Sequence, residues 1–356
     1  MPLASGVATL LRACGAVVAG AGSATLIAAS RATLERACAA ARCESERAAV
    51  RALIAAFQRA RSSPPALRWR GRSIALDDGA QVMGIVNVTP DSFYERVGGA
   101  EAALAKGRAI VADGGAIVDV GGQSYADGVR RVGPEDEAAR VVPAVRALAA
   151  ACDAAISADT VHARVAHAVL RAGAHAINDC SGLSDPALAD AVAEHGAGLV
   201  IVHLKGRLNH REPATYVYDD ALAEIVEFLH ERAERALRAG VARDAIAIDP
   251  GLEFGKEPAT DLEILARFGE LRALGYPIVL AASRKSFIGR VVGRPAAELL
   301  VPSLAAAAAG IAAGARIVRA HDVAETVQLA RMLAAIERAG MPAEDGASNS
   351  CAAEAV

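Results

Sequence analysis

Between residues 80 and 338, short unbroken apolar runs alternate with longer stretches whose apolar residues recur every three or four positions. The runs cover 82–87, 116–122, 155–159, 174–178, 198–203, 245–249, 277–283 and 316–321. Each ends in a polar residue or a Gly-rich polar turn. The stretches at 100–112, 134–151, 162–172, 187–194, 220–239, 260–273 and 323–339 have the spacing of helices with one buried face. Another helix starts near Lys285, and a second apolar segment follows at 303–313. Strands that are apolar throughout, rather than alternating, belong to a parallel sheet covered on both sides. This rhythm predicts an α/β fold, a (β/α)8 TIM barrel. Such barrels carry their chemistry at the C-terminal ends of the strands. The polar run ends are therefore a candidate active-site rim.

The first 66 residues do not share the rhythm. Residues 7–29 are apolar but small, and Arg12 interrupts them, so they lack the bulk of a membrane helix. Residues 36–61 read as an amphipathic helix, and Ser62-Ser63-Pro64-Pro65 breaks it. Three parts are expected: an Ala-rich, mostly helical N-terminal extension at 1–66, the barrel at 67–340 and a flexible tail at 341–356. A β-like entry at 67–76 and the turn Asp77-Asp78-Gly79 lead into the barrel. No acidic residue precedes Glu35, which leaves organelle targeting by the extension open beside the expected cytoplasmic location.

Composition narrows the partners. The chain's 356 residues suit one barrel, for which roughly 250 is typical, plus an appendage. A net charge of −3 argues against a nucleic-acid-binding surface over the whole chain. Cys14, Cys38, Cys43, Cys152, Cys180 and Cys351 form no CxxC pair, which fits a reducing compartment better than a disulfide framework. There is no Walker A sequence, no HExxH and no Gly-x-Ser-x-Gly elbow.

Chemistry concentrates on the run ends. Asn87 closes the first, and its amide oxygen could ligate Mg²⁺; the alternative is a turn-making Asn. Asp159, Asn178 and Asp249 end three more. Two carboxylates and an amide converging in a barrel mouth suit a flat heterocycle with N–H and amide edges. Helix capping by Asp159 and turn formation by Asp249-Pro250-Gly251 are the alternatives. Lys285 and Ser286 stand at a helix start just past the seventh run. Arg319 and His321 lie on one face of the eighth by strand alternation. Both then point toward the usual anion-binding side of such barrels. His203 ends the fifth run without a partner at zinc-ligand spacing.

These residues, taken in order, resemble the dihydropteroate synthase family. The resemblance rests on Asn87-Val88-Thr89-Pro90-Asp91-Ser92-Phe93 and Ser283-Arg284-Lys285-Ser286-Phe287-Ile288-Gly289, with weaker matches at the other strand ends, over about residues 80–338. It implies transfer of a 7,8-dihydropterin-6-ylmethyl group from its diphosphate to p-aminobenzoate, with release of diphosphate. By resemblance, Asp159, Asn178, Asp249 and Lys285 hold the pterin, and Asn87 binds Mg²⁺ with the diphosphate. Arg319 and His321 grip the leaving group, while Ser286 and Phe254 face the aminobenzoate. Ser283 joins the substrate-binding set. The family also implies a homodimer through barrel helices.

The second loop departs from the pattern. Where the family reads Gly-Glu-Ser-Thr-Arg-Pro-Gly, this chain has Gly122-Gln123-Ser124-Tyr125-Ala126-Asp127-Gly128. Arg130 or Arg131 is a candidate to replace the missing arginine. Glu253 stands where the family generally has Gly. Two readings stay open: a synthase with a modified loop, or a pterin-binding paralogue with another acceptor or no catalysis.

Overall fold

The structure, a computed structural model, describes residues 5–14, 16–21, 24–28, 31–61, 66–89, 98–125, 129, 131–208 and 216–339. The extension contains α1 (Ser5–Ala13), a hairpin of β1 (Val17–Ala21) and β2 (Ala24–Ala28), α2 (Arg31–Ala40) and α3 (Glu44–Arg61). The single helix expected at 36–61 is thus two helices, and the hairpin is an element that the small residues at 17–28 did not announce. Val7, Leu11, Leu34, Ala37 and Val50 form a core of their own, separate from that of the barrel. The expected break at 62–65 and the tail beyond 339 lie outside the described residues.

A second hairpin, β3 (Ala66–Trp69) with β4 (Arg72–Ala75), precedes the barrel. It closes the barrel's N-terminal end. The Trp69 ring is fully buried, and its Nε1 donates to the Ala245 carbonyl at 3.0 Å. A Cβ on Gly198 would lie 2.0 Å from that ring, so the glycine makes room for the plug.

The barrel follows as β5 (Gln81–Asn87), α4 (Gly99–Ala112), β6 (Ile117–Gly121), α5 (Pro134–Ala151), β7 (Ala155–Asp159), α6 (Ala163–Ala172), β8 (Ala176–Asp179) and α7 (Leu188–Glu194). It continues with β9 (Gly198–Val202), α8 (Ala221–Ala239), β10 (Ile246–Asp249), α9 (Pro258–Ala266), β11 (Val279–Leu280), α10 (Ser286–Val292), α11 (Leu300–Ala313), β12 (Ile317–Ala320) and α12 (Val323–Ala339). The eight barrel strands pair in parallel in the order β10-β9-β8-β7-β6-β5-β12-β11. A parallel bridge between Ile248 and Ile278 joins the two ends, with the Ile248 N–H donating to the Pro277 carbonyl at 3.0 Å. The (β/α)8 barrel is therefore closed, as the run pattern predicts.

Register does the positioning. Asn87 pairs with Gly121, Gly121 with Asp159, and Asp159 with Asn178. Four neighbouring strands thus end in one layer, with three polar side chains in it.

Two boundaries differ from expectation. The helix expected over 260–273 stops at Ala266, and residues Phe268–Leu274 form a 3-10 segment. Phe268, Leu271 and Leu274 are buried there at every third position, which is the 3-10 period. The run expected over 277–283 forms a strand only at Val279–Leu280, with the bridge at Ile278 before it. Its later residues leave the sheet because Arg284, at φ +56, is held from outside: its N–H donates to Ser303 Oγ, and its guanidinium grips Asp322.

Candidate active site

A cavity of about 730 Å³ opens at the C-terminal ends of the strands. Asn87, Asp159, Asn178, Asp249, Phe254, Ser283, Lys285, Ser286, Arg319 and His321 all line it. The structure thus brings together every candidate residue of the rim. Of the motif around Asn87, Pro90–Phe93 in numbers 90–93 lie outside the described residues.

Arg319 organises the floor. Its Nε donates to Asp119 Oδ2 at 2.7 Å and its Nη2 to Asp159 Oδ2 at 3.1 Å. Asn178 Nδ2 reaches the same Asp119 oxygen at 3.1 Å. The expectation gave Arg319 to a leaving group; in this structure its guanidinium holds two buried acids. Burial raises the Asp159 pKa, and the Arg319 charge opposes that rise. Asp119 is the residue that sequence reading missed. It sits inside the apolar run of β6 rather than at its end, fully buried. A carboxylate in the middle of a buried strand was the available signal, because burial of a charge is costly without a partner.

On the opposite wall, residues 250–256 wrap around buried Lys256. Its Nζ donates to His203 Nδ1 at 2.8 Å, to the Gly251 carbonyl at 2.7 Å and to the Phe254 carbonyl at 2.9 Å. All three ammonium protons are used. His203, whose partner was not apparent in the sequence, is held neutral by burial and by the Lys256 charge, which push its pKa well down. Asp249 Oδ1 accepts from the Gly251 N–H at 2.7 Å, and burial raises its pKa against the nearby Lys285 charge. Lys285 Nζ donates to the Leu252 carbonyl and stands 4.9 Å from the Phe254 ring centroid. Carboxylate, ammonium and aromatic face therefore share one wall.

Glu253 reaches Ser286 on the same wall. Its Oε1 accepts from Ser286 Oγ at 2.7 Å and from the Phe287 N–H at 2.8 Å. Its own N–H donates to Asp261 Oδ1 at 2.9 Å. Its φ is +67, a region that costs a residue with a Cβ on the order of 1–3 kcal/mol. The Ser286 hydroxyl, expected to face a substrate, is engaged by a side chain of the protein.

Between strands seven and eight, Ser283 Oγ accepts from the His321 N–H at 3.1 Å and lies 3.1 Å from His321 Nδ1. Burial, followed by the Arg319 charge, lowers the His321 pKa to about 4. Arg284 pairs with Asp322 through two bonds, at 2.9 and 2.8 Å, and donates to the carbonyls of Ala296 and Ala297. The arginine of the Ser-Arg-Lys-Ser stretch is thus a brace that fixes the strand-eight end.

The second loop is only partly described. Gln123 Oε1 accepts from the Val132 N–H at 3.0 Å, so the amide closes the loop across its base. Tyr125 turns into the cavity wall, and its hydroxyl is buried without a hydrogen-bond partner among the described residues. Burial and the Asp159 charge push its pKa well up, which keeps the phenol neutral. Ala126, Asp127, Gly128 and Arg130 lie outside the described residues. Arg131 is exposed; its charge acts on Glu137 and His162, at the start of the following helices.

A metal would find oxygen near Asn87. A Cβ placed on Gly121 would lie 3.4 Å from Asn87 Oδ1 and 3.9 Å from Asp159 Oδ2. An amide oxygen and a carboxylate oxygen thus flank the same glycine, a donor set of the kind Mg²⁺ uses together with substrate phosphates.

A closed (β/α)8 barrel whose mouth gathers carboxylates, an amide, a lysine and an arginine belongs to the small-molecule enzymes of this architecture. Residues 83–321 match the family model described as pterin binding enzyme. A dihydropteroate synthase from Escherichia coli K12 is 38% identical over 270 residues, spanning 75% of this chain and 94% of that protein. An inactive dihydropteroate synthase 2 from Mycobacterium tuberculosis H37Rv is 40% identical over 274 residues, spanning 75% of this chain and 86% of its own. The solved structure of the Xanthomonas albilineans dihydropteroate synthase in complex with 7,8-dihydropteroate aligns at TM-score 0.69 and 37% identity, covering 78% of this chain and all of that one. The chain belongs to the dihydropteroate synthase family of pterin-binding enzymes.

Proposed function

We propose that the protein is a dihydropteroate synthase, joining 7,8-dihydropterin-6-ylmethyl diphosphate to p-aminobenzoate with release of diphosphate. The observation that carries this reading is the convergence of Asp159, Asn178, Asp249, Lys285 and Arg319 on one cavity, with Asp119 buried behind them as the partner of Asn178 and Arg319. A pterin presents an amino group and a ring amide side by side. Buried carboxylates and amides pair with such an edge bidentately, as they do with base edges. Asp159, Asn178 and Asp249 supply that pairing, and Lys285 donates to the ring carbonyl. The pterin is held edge-on, with its exocyclic carbon toward Arg319 and His321.

The reaction breaks the bond from that carbon to the diphosphate oxygen and forms a bond to the arylamine nitrogen, which gives up a proton. Negative charge grows on the departing diphosphate. Arg319 offers a fixed positive charge to it. His321 lines the same cavity, and burial lowers its pKa to about 4, so it meets the diphosphate as a neutral imidazole. Mg²⁺, bound through Asn87 and the diphosphate, would add Lewis-acid stabilisation of the leaving group. No protein nucleophile is required, in keeping with the missing elbow motif.

A second copy of the chain is the expected partner. Val301, Met332 and Ile336 expose apolar side chains on α11 and α12, as an interface between barrel helices would require. Among the described residues no helix is long and apolar enough to cross a membrane. The five described cysteines are all free thiols, which supports a cytoplasmic location.

One observation favours a second reading, a paralogue with a different acceptor or without catalysis: the Glu253 carboxylate on Ser286. Diphosphate release from purified protein with Mg²⁺, the pterin diphosphate and p-aminobenzoate decides between them. Turnover with p-aminobenzoate is expected. Binding of the pterin diphosphate with no release of diphosphate would overturn the synthase. Lys285→Ala should weaken pterin diphosphate binding at least tenfold by calorimetry, and unchanged affinity would remove the proposed pocket.

A further inference from the structure

We infer that Glu253 tunes acceptor affinity: its carboxylate holds the Ser286 hydroxyl, so that p-aminobenzoate binds more weakly than it would beside a glycine, while neutral arylamines are unaffected. This rests on the reading that the acceptor docks beside Ser286 and Phe254.

The backbone supplies the first argument. Residue 253 has a left-handed φ of +67, and glycine would hold this turn without strain. A glutamate kept in that conformation implies a use for its side chain. The turn is held by its neighbours in any case, because the Leu252 carbonyl accepts from Lys285 and the Phe254 carbonyl from Lys256. The side chain of Glu253 instead reaches across to the first turn of α10, at Ser286 and Phe287.

The contacts supply the second. One carboxylate oxygen takes both the Ser286 hydroxyl and the Phe287 N–H, at 2.7 and 2.8 Å. Glu253 and Ser286 both line the cavity beside Phe254. An acceptor carboxylate arriving there finds the hydroxyl already taken by the same chemical group. It must displace that group or sit beside it, and two carboxylates at short range repel. Asp261, whose Oδ1 accepts from the Glu253 N–H, adds a further acid on the same side. A neutral arylamine meets no such penalty. The stacking face of Phe254 and the rest of the wall remain available to both.

The test compares p-aminobenzoate with its neutral amide, 4-aminobenzamide. Saturation-transfer NMR reads the dissociation constant of each for the full-length wild type, Glu253→Gln and Glu253→Gly. The pterin site is filled with 6-hydroxymethyl-7,8-dihydropterin, which has no leaving group and cannot react. Glu253→Gly is expected to bind p-aminobenzoate about tenfold more tightly than the wild type, with 4-aminobenzamide changed less than twofold. Glu253→Gln keeps the size and the accepting oxygen but loses the charge, and should fall between. Unchanged p-aminobenzoate affinity in both variants overturns the proposal. An equal gain for both arylamines also overturns it, since that reports space rather than charge. If the charge-dependent difference holds but none of the three proteins releases diphosphate, the synthase reading falls and the role of Glu253 stands.

Discussion

Glu137 shows how one buried side chain writes itself into the behaviour of the whole protein. It lies at the start of α5, fully buried, and burial pushes its pKa up to about 7. An unfolded glutamate releases its proton near 4.3. Between those values the folded chain binds more protons than the unfolded one, so this group makes stability fall as pH rises through that window. Glu137→Gln keeps the shape and cannot titrate. The variant's stability relative to the wild type should therefore grow from pH 5 to pH 8 in urea titrations. A difference that stays constant with pH would show that the acid does not titrate there. The residue scale is also where sequence reading was most uneven. Asn87, Asp159, Asn178 and Asp249 were legible because they close apolar runs. Asp119 was not, because its position inside an apolar run marks a buried acid without naming its partners, Asn178 and Arg319, which lie far along the chain. Lys256 and His203 were opaque for the same reason.

Elements divide the work between the two ends of the barrel. The loops after β5, β6 and β8–β12 carry the cavity, while the β3–β4 hairpin seals the far end with Trp69. Removing that ring leaves a void against Gly198. Trp69→Ala should lower unfolding free energy by about 3–5 kcal/mol, the usual loss for a buried aromatic. Pterin affinity, measured on the folded fraction, should hold, because the plug is at the opposite end from the rim. A parallel loss of pterin binding would mean that the plug also shapes the cavity. Strand and helix order was readable from periodicity alone, since a buried parallel strand has to be apolar on both faces. The break at Arg267 was not: a 3-10 segment and an α-helix both place apolar residues three apart.

At the scale of the molecule, the extension and the barrel have separate cores. The barrel is proposed to fold without the extension. A chain of residues 66–356 should keep its circular dichroism spectrum and its pterin diphosphate affinity within about twofold, which spectroscopy and calorimetry would check. An unfolded product would show instead that α3, which packs on the Phe268–Leu274 segment, is part of the barrel's stability. What the sequence alone determined was the eightfold alternation, the closed parallel barrel it demands and the polar strand ends that become a rim. These are local properties, carried by the period of apolar residues and by which residue ends each run. Only the tertiary structure decided which side chains meet across the barrel. Register set Asn87, Gly121, Asp159 and Asn178 in one layer. Closure brought Arg319 to two acids from other strands, and the turn at 253 carried a carboxylate onto Ser286. Those contacts join residues tens to hundreds of positions apart, and no local pattern encodes a distance that only folding creates.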